Sequence, residues 1–251
     1  MSGHSKWHSI KHQKGAADKA RGKLFARLAR QIEVAARQGG GDIETNSLLR
    51  LQVQKAKAQS MPKDNIDRAI KRGTGEVEGV NYEEINYEGY APHGIALYVE
   101  TLTDNRNRTG SDVKSLFSKN NGSLAEPGSV AWQFERSGLI KFKNDPKIDE
   151  DEFLLQAIEN GAEDVQFDSD EISVFTKDSA LHDVEDKYTK ANIKIISADT
   201  IMKPTTLVEI TDIEHVRQIL HLIEILEDND DVQNVFSNMD ASDEILEEIF
   251  S

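Results

Sequence analysis

Nine cations fall within the first 37 residues: Lys6, Lys11, Lys14, Lys19, Arg21, Lys23, Arg27, Arg30 and Arg37, interleaved with Trp7, His8 and His12. Phosphate binding needs many cations along one surface, and an aromatic ring among them can stack on an unpaired base. Lys57, Lys71 and Arg72 extend the basic character beyond residue 50. The competing readings of such a run are a solvated helix face behind a disordered tail, and an arm that rests on the acidic remainder of the chain until nucleic acid displaces it. A second cluster, Asn105, Arg106, Asn107 and Arg108, lies in a turn feeding a helix, with Thr109 as the expected cap. Free N–H groups at a helix start and an arginine pair suit an anion. The same residue types also serve as a cap with salt bridges inside a turn.

Other chemistry finds little support. His4, His8 and His12 recur every four residues, but Gly3 and Gly15 flank them and no carboxylate precedes Asp18. A zinc site needs a completed ligand set, so no metal is expected and hydrogen bonding to phosphate is the expected role. The chain has no Cys, which removes thiolate nucleophiles, thiolate metal sites and disulfides. The glycine-bearing stretches GTGEVEG and GYAPHG match no phosphate-binding loop, and neither a Ser/His/Asp order nor an HExxH motif is present. No catalytic residue and no cofactor is expected, and an enzyme is disfavoured.

The net charge of −15 over 251 residues argues against a polyanion binder, until it is resolved along the chain. Residues 1–72 hold 16 Lys plus Arg against 6 Asp plus Glu, whereas residues 73–251 hold 14 against 39. A head of charge +10 thus precedes a body of charge −25. No apolar run approaches the ~18 residues of a membrane span, and the N-terminus lacks a secretory apolar core. A soluble cytoplasmic protein without membrane contact is expected.

The elements that must position these residues follow from periodicity. Residues 1–22 offer only Trp7 and Ile10 as large apolar groups, too little to offset ordering entropy, so a mobile basic arm is expected. A helical bundle with its linker is expected over 23–80. Its first helix, 23–38, places Leu24, Phe25, Leu28, Ile32 and Ala35 on one side and Lys23, Arg27, Arg30 and Arg37 on the other. Gly39-Gly40-Gly41 ends it. Leu49, Val53 and Ala56 mark a second helix, and PKDNIDRAIKR a third with Ile66, Ala69 and Ile70 inward.

Beyond the Gly-rich acidic stretch GTGEVEGVNYEE the pattern is α+β. Ile95, Leu97, Val99 and Thr101 alternate as a strand, Val113, Leu116 and Phe117 mark a helix, and Val130, Trp132 and Phe134 alternate again. Later, LVEI reads as a strand, Thr211 with Glu214 as a capping box, Val216, Leu220 and Ile223 as a helix face, and VQNVF as a strand. Between them the order repeats: LIKF, a helix through Phe153, Leu154, Ala157 and Ile158, a hairpin around Asp168-Ser169-Asp170, a helix through Leu181, Val184 and Tyr188, then IKII. Two ferredoxin-like domains are expected, one (137–203) inserted in a split one (81–136 with 204–240), followed by an acidic solubilising tail over 241–251. A tandem arrangement is the competing reading.

Three long stretches carry a resemblance. GHSKWHSIKHQKGAADKARGKLFARLARQI, MPKDNIDRAIKRGTGE and YEGYAPHGIALYVETLTDNRNRTGSDVKSLFSKNNGSLAEPGSVAWQFERSGLI are similar to the YebC/PmpR family. Ala91 and His93 depart from the small Gly-type residues of its pattern. The resemblance implies a helical domain and two α+β domains. It implies either a transcriptional regulator that binds promoter DNA or, as in the mitochondrial relative, a translational activator; other members are implicated as ribosome-associated factors that relieve stalling.

The expected function is therefore a nucleic-acid-binding regulator of gene expression, read first as a DNA-binding transcriptional regulator. Lys and Arg outnumber amides on the exposed helix, which favours phosphate over base-edge contact, and an arm with Trp7 suits folded RNA or the ribosome. A protein-interaction adaptor is the third reading. Nothing resembles a dimer zipper, so a monomer is preferred.

Overall fold

The computed structural model of the chain describes residues 17–146, 148–168 and 170–250, with backbone alone for 17–20. Most of the expected arm, including Lys6, Trp7, His8, Lys11, His12 and Lys14, lies outside the described residues, as does the side chain of Lys19. The helices are α1 (Ala17–Gly39), α2 (Ser47–Ala58), α3 (Lys63–Gly73), α4 (Arg106–Lys119), α5 (Glu150–Asn160), α6 (Leu181–Lys190), α7 (Ile213–Glu227) and α8 (Asp243–Phe250). The strands are β1 (Glu83–Tyr90), β2 (Ala96–Thr103), β3 (Ser123–Ala125), β4 (Phe134–Lys143), β5 (Asp164–Phe167), β6 (Glu171–Lys177), β7 (Ile195–Pro204), β8 (Val208–Glu209), β9 (Val232–Ser237) and β10 (Met239–Asp240). Residues 131–207 make one compact unit, and the remainder of the described chain makes the other.

Helix α1 begins six residues before the expected start at Lys23. Its buried stripe, Leu28, Ile32, Ala35 and Ala36, meets Leu49, Val53 and Ala56 of α2 and Ile66 and Ala69 of α3 in one core. Asn46 caps α2 by accepting from Leu49 N (3.0 Å), while its amide donates to Ala35 O (2.9 Å) and Gly40 O (2.8 Å). One side chain thus fastens the glycine turn to both helices. At the end of α3, a Cβ on Gly73 would fall 2.4 Å from Glu33 O, so only glycine lets the third helix close on the first.

In the same unit, β3-β1-β2-β9 form a four-stranded sheet, antiparallel at every pairing. Ile95, Leu97, Val99, Val232 and Val235 from the sheet pack with Val113 and Phe117 of α4 and Val216, Ile219 and Ile223 of α7. The strand membership differs from the expected one. Ala131–Gln133 is a 3₁₀ turn, so the alternation of Val130, Trp132 and Phe134 does not make a strand. LVEI contributes only the two residues of β8, which pair in parallel with β10 outside the main sheet. Their places are taken by β1 and β3. Helix caps also differ: Asp212, not Thr211, caps α7 by accepting from Glu214 N and His215 N. Asn105, not Thr109, caps α4.

The unit 131–207 has strand order β5-β6-β4-β7, antiparallel throughout, with α5 and α6 as its helices. This βαββαβ order is ferredoxin-like. Its core holds Ile140, Phe142, Phe153, Ala157, Ile172, Val174, Val184 and Tyr188. Leu154 and Ile158, expected inside, are 36% and 57% exposed. A helix of three turns buries one narrow stripe, and here Phe153 and Ala157 occupy it.

The expected acidic tail is instead a helix. Leu246 of α8 is fully buried, and Ile245, Ile249 and Phe250 pack against the core of the split domain. Leu246→Ala should therefore destabilise that domain by about 2–4 kcal/mol, measured by urea denaturation. A solvated tail would give no change.

Candidate nucleic-acid interface

The seven-residue spacing of Lys23, Arg30 and Arg37, with Arg27 beside them, puts all four on the side of α1 away from the helical core. Arg37 is exposed, but Lys23, Arg27 and Arg30 do not face open solvent. The turn between α7 and β9, residues 227–231, lies against them. Lys23 Nζ donates to Asp228 O and Oδ1, both at 2.9 Å. Arg27 donates to Glu227 O. Arg30 Nη1 donates to Asp230 O at 2.6 Å and to Asp231 Oδ1 at 3.0 Å, with Tyr82 5.6 Å beneath its guanidinium. Arg37 donates to Val80 O (2.7 Å) and Asn81 Oδ1 (2.6 Å), and Val80 N donates to buried Glu33 (3.0 Å), so the segment after α3 is folded back on α1.

Asp231 is the centre of this contact. Its Oδ2 accepts from Thr109 Oγ1 at 2.7 Å and from Arg108 Nη2 at 2.8 Å, while Oδ1 takes Arg30. Burial alone would raise its pKa; the hydrogen bonds from Arg108 and Thr109 and the charges of Arg108 and Arg30 outweigh burial and hold it below the ordinary carboxylate range. Arg27 is shifted down by burial, opposed by Glu227, Asp228 and Asp230. Arg108 is raised, by hydrogen bonds to Asp231 and then Asp104.

The expected binding residues therefore divide. Lys23, Arg27, Arg30, Arg37 and Arg108 are engaged within the chain. Arg21, Lys57, Lys71, Arg72 and Arg106 are exposed and make no ion pair among the described residues. Of the Asn105–Arg108 cluster, Asn105 and Arg108 serve as cap and ion-pair partner, while the exposed side chains of Arg106 and Asn107 make no hydrogen bond or ion pair among the described residues. Sequence reasoning passed over Arg68, one turn before Arg72 on α3, which is also exposed without an ion pair; the four-residue spacing carried that signal. Between α1 and α3 runs a groove of about 190 Å³ that includes Phe25, Asn65, Arg68 and Arg72 in its lining.

Comparison with known proteins places this geometry. A model of the TACO1/YebC protein N-terminal domain matches residues 5–76, and one of the TACO1/YebC second and third domain matches residues 82–239. The chain belongs to the TACO1/YebC family. A probable transcriptional regulatory protein of Halothermothrix orenii is 51% identical over 250 residues, covering 99% of both chains. One of the same description from Syntrophomonas wolfei is 50% identical, covering 98% of this chain and 99% of its own. The crystal structure of a conserved hypothetical protein from Aquifex aeolicus is 44% identical, with a TM-score of 0.86 over 94% of this chain and 97% of that one.

Within this TACO1/YebC chain, Ala91 and His93 sit at the turn between β1 and β2. Ala91 is buried; His93 has a φ of 65° and stacks on His215 with ring centroids 3.6 Å apart. Among the described residues, no group of three or more His, Asp or Glu is placed to hold a metal, and no helix is long and apolar enough to cross a membrane.

The Asp231 contact has a measurable pH signature. Asp231→Ala leaves Arg30 half-buried without its carboxylate and should cost about 3–5 kcal/mol at pH 7. The lowered pKa makes the carboxylate's contribution complete above about pH 4 and lost as pH falls through the depressed value. Wild-type stability should accordingly drop below pH 4 more steeply than that of Asp231→Asn. Denaturation midpoints falling in parallel would remove Asp231 from this role.

Proposed function

We propose that this TACO1/YebC chain is a nucleic-acid-binding regulator of gene expression, and that its helical head grips phosphate with the cations its body does not take up. The observation carrying this reading is that Arg21 of α1 and Arg68, Lys71 and Arg72 of α3 are exposed without ion pairs among the described residues. They lie on the same head as the cation-rich first 16 residues, in a chain whose remaining part carries −25. Local basic clustering of this kind is the electrostatic footprint of nucleic-acid binding. The relatives' description as transcriptional regulatory proteins supports regulation as the role.

The exposed side of α3 offers Lys63, Arg68, Lys71 and Arg72 with few amides. Base edges are read by Asn and Gln as well as Arg; with amides scarce on this side, the expected contacts are chiefly with phosphate, which position a protein without specifying sequence. DNA binding at promoters is the reading that agrees with the relatives' description. Binding of folded RNA, as on a ribosome, is the second reading, favoured by the groove beside Phe25, because unstacked bases occur in RNA loops and bulges.

Titration of duplex DNA and of structured RNA between 50 and 200 mM salt separates these outcomes. About six phosphate contacts give a log–log slope of about −4 to −5. Arg68→Glu, Lys71→Glu and Arg72→Glu together should weaken binding at least about tenfold while leaving thermal unfolding unchanged. Lys23→Glu, Arg27→Glu and Arg30→Glu together should instead lower stability, since those side chains hold the head on the 227–231 turn. A salt-insensitive complex, or full affinity in the α3 variant, would overturn the assignment.

A further inference from the structure

Resting on the nucleic-acid reading, we infer that the groove between α1 and α3 receives one unpaired base of an RNA strand, with Arg68 and Arg72 on the flanking phosphates. Three properties of the groove carry this. First, in a chain with 45 acidic residues, no carboxylate is among the residues lining it, whereas two guanidiniums are. Both are exposed and without ion pairs among the described residues. The groove therefore selects an anionic ligand.

Second, α1 gives the groove an apolar floor. Phe25 and its neighbour Ala26 line it, with Ala29 one turn further along the helix, and Phe25 also packs on the helical core. Alanines leave an open shelf, and the ring of Phe25 supplies a wall against which a flat π-system stacks. Asn65 adds an amide that makes no side-chain hydrogen bond among the described residues, a donor and an acceptor for a base edge.

Third, its size suits a single ring system. A volume of about 190 Å³ falls below the ~300–1,000 Å³ that encloses a whole drug-sized ligand. One ring system fills it, and the rest of a strand would lie outside the groove. A duplex keeps its bases stacked inside the helix, whereas RNA bulges and loops present them splayed outward. Arg21, exposed on α1, lies one turn before Phe25.

Ala26→Leu tests this with the full-length chain. It fills the groove, changes no charge and stands at an exposed helical position, where leucine is a good helix former. The probe is an RNA hairpin whose two strands are joined by a non-nucleotide linker in place of loop bases, with a single-nucleotide bulge carrying 2-aminopurine, compared with the same hairpin lacking the bulge. The expected result is about tenfold weaker binding of the bulged hairpin by Ala26→Leu, with affinity for the paired hairpin and the salt slope unchanged. An abasic bulge should reproduce the loss on wild-type protein. Equal affinity of wild type and Ala26→Leu for the bulged hairpin, or equal losses on both hairpins, would overturn the base pocket. Preference for the same bulge in DNA would overturn RNA as its source. Salt-sensitive binding of both hairpins without discrimination would sink this inference alone; no binding of either RNA or duplex DNA at 50 mM salt would sink the proposed function with it.

Discussion

A single buried carboxylate joins the parts of the larger unit. Asp231 stands at the entry to β9, and its partners come from separate elements: Arg30 from α1, Arg108 and Thr109 from the start of α4, and Thr103 from the end of β2. A buried charge without partners is costly, and one with several fixed partners constrains each of them. The seating of the helical head, the first turn of α4 and the end of the central hairpin therefore share one ionisable group. Around it the turn supplies backbone carbonyls to Arg27 and Arg30, so the contact is shaped by hydrogen bonds as well as by charge.

This contact changes the meaning of the charge balance. The body's excess of acid repels polyanions in general, but residues 227–231 do something more specific: they occupy the cations of one side of α1. Arg21, Arg68, Lys71 and Arg72 of the head stay exposed without ion pairs among the described residues. The head binds its own body with one face and leaves these cations outside that contact.

Much of the fold was legible because local periodicity and burial agree. Leu28, Ile32 and Ala35, then Leu49, Val53 and Ala56, repeat at helical spacing and are all buried. The inserted βαββαβ order was readable for the same reason. Strand β1 was not, because EEINYEGY carries three glutamates; one of them, Glu88, is buried and accepts from Gly128 N and Val130 N, a long-range use that no pattern reveals. In α8 the apolar spacing of Ile245, Leu246, Ile249 and Phe250 was present but outweighed by acidic composition. The face of α1 bearing Lys23, Arg27 and Arg30 was legible too. The acidic body was one of the destinations the sequence left open, but not which acids would take this face up, since they lie about 200 positions later in the chain.

The strength of this self-contact is graded along α1, and the gradient bears on how a polyanion would meet it. At the N-terminal end, Lys23 pairs with an Asp228 that is 67% exposed; such surface pairs contribute only about 0–1 kcal/mol and weaken with salt. Two turns on, Arg30 meets an Asp231 side chain that is 6% exposed and further fixed by Arg108. A competing anion would displace the weakest of these pairs first. Lys23 can be given up at little cost, while Arg30 continues to hold the head in place, so the same helix is fixed at one end and only loosely held at the other.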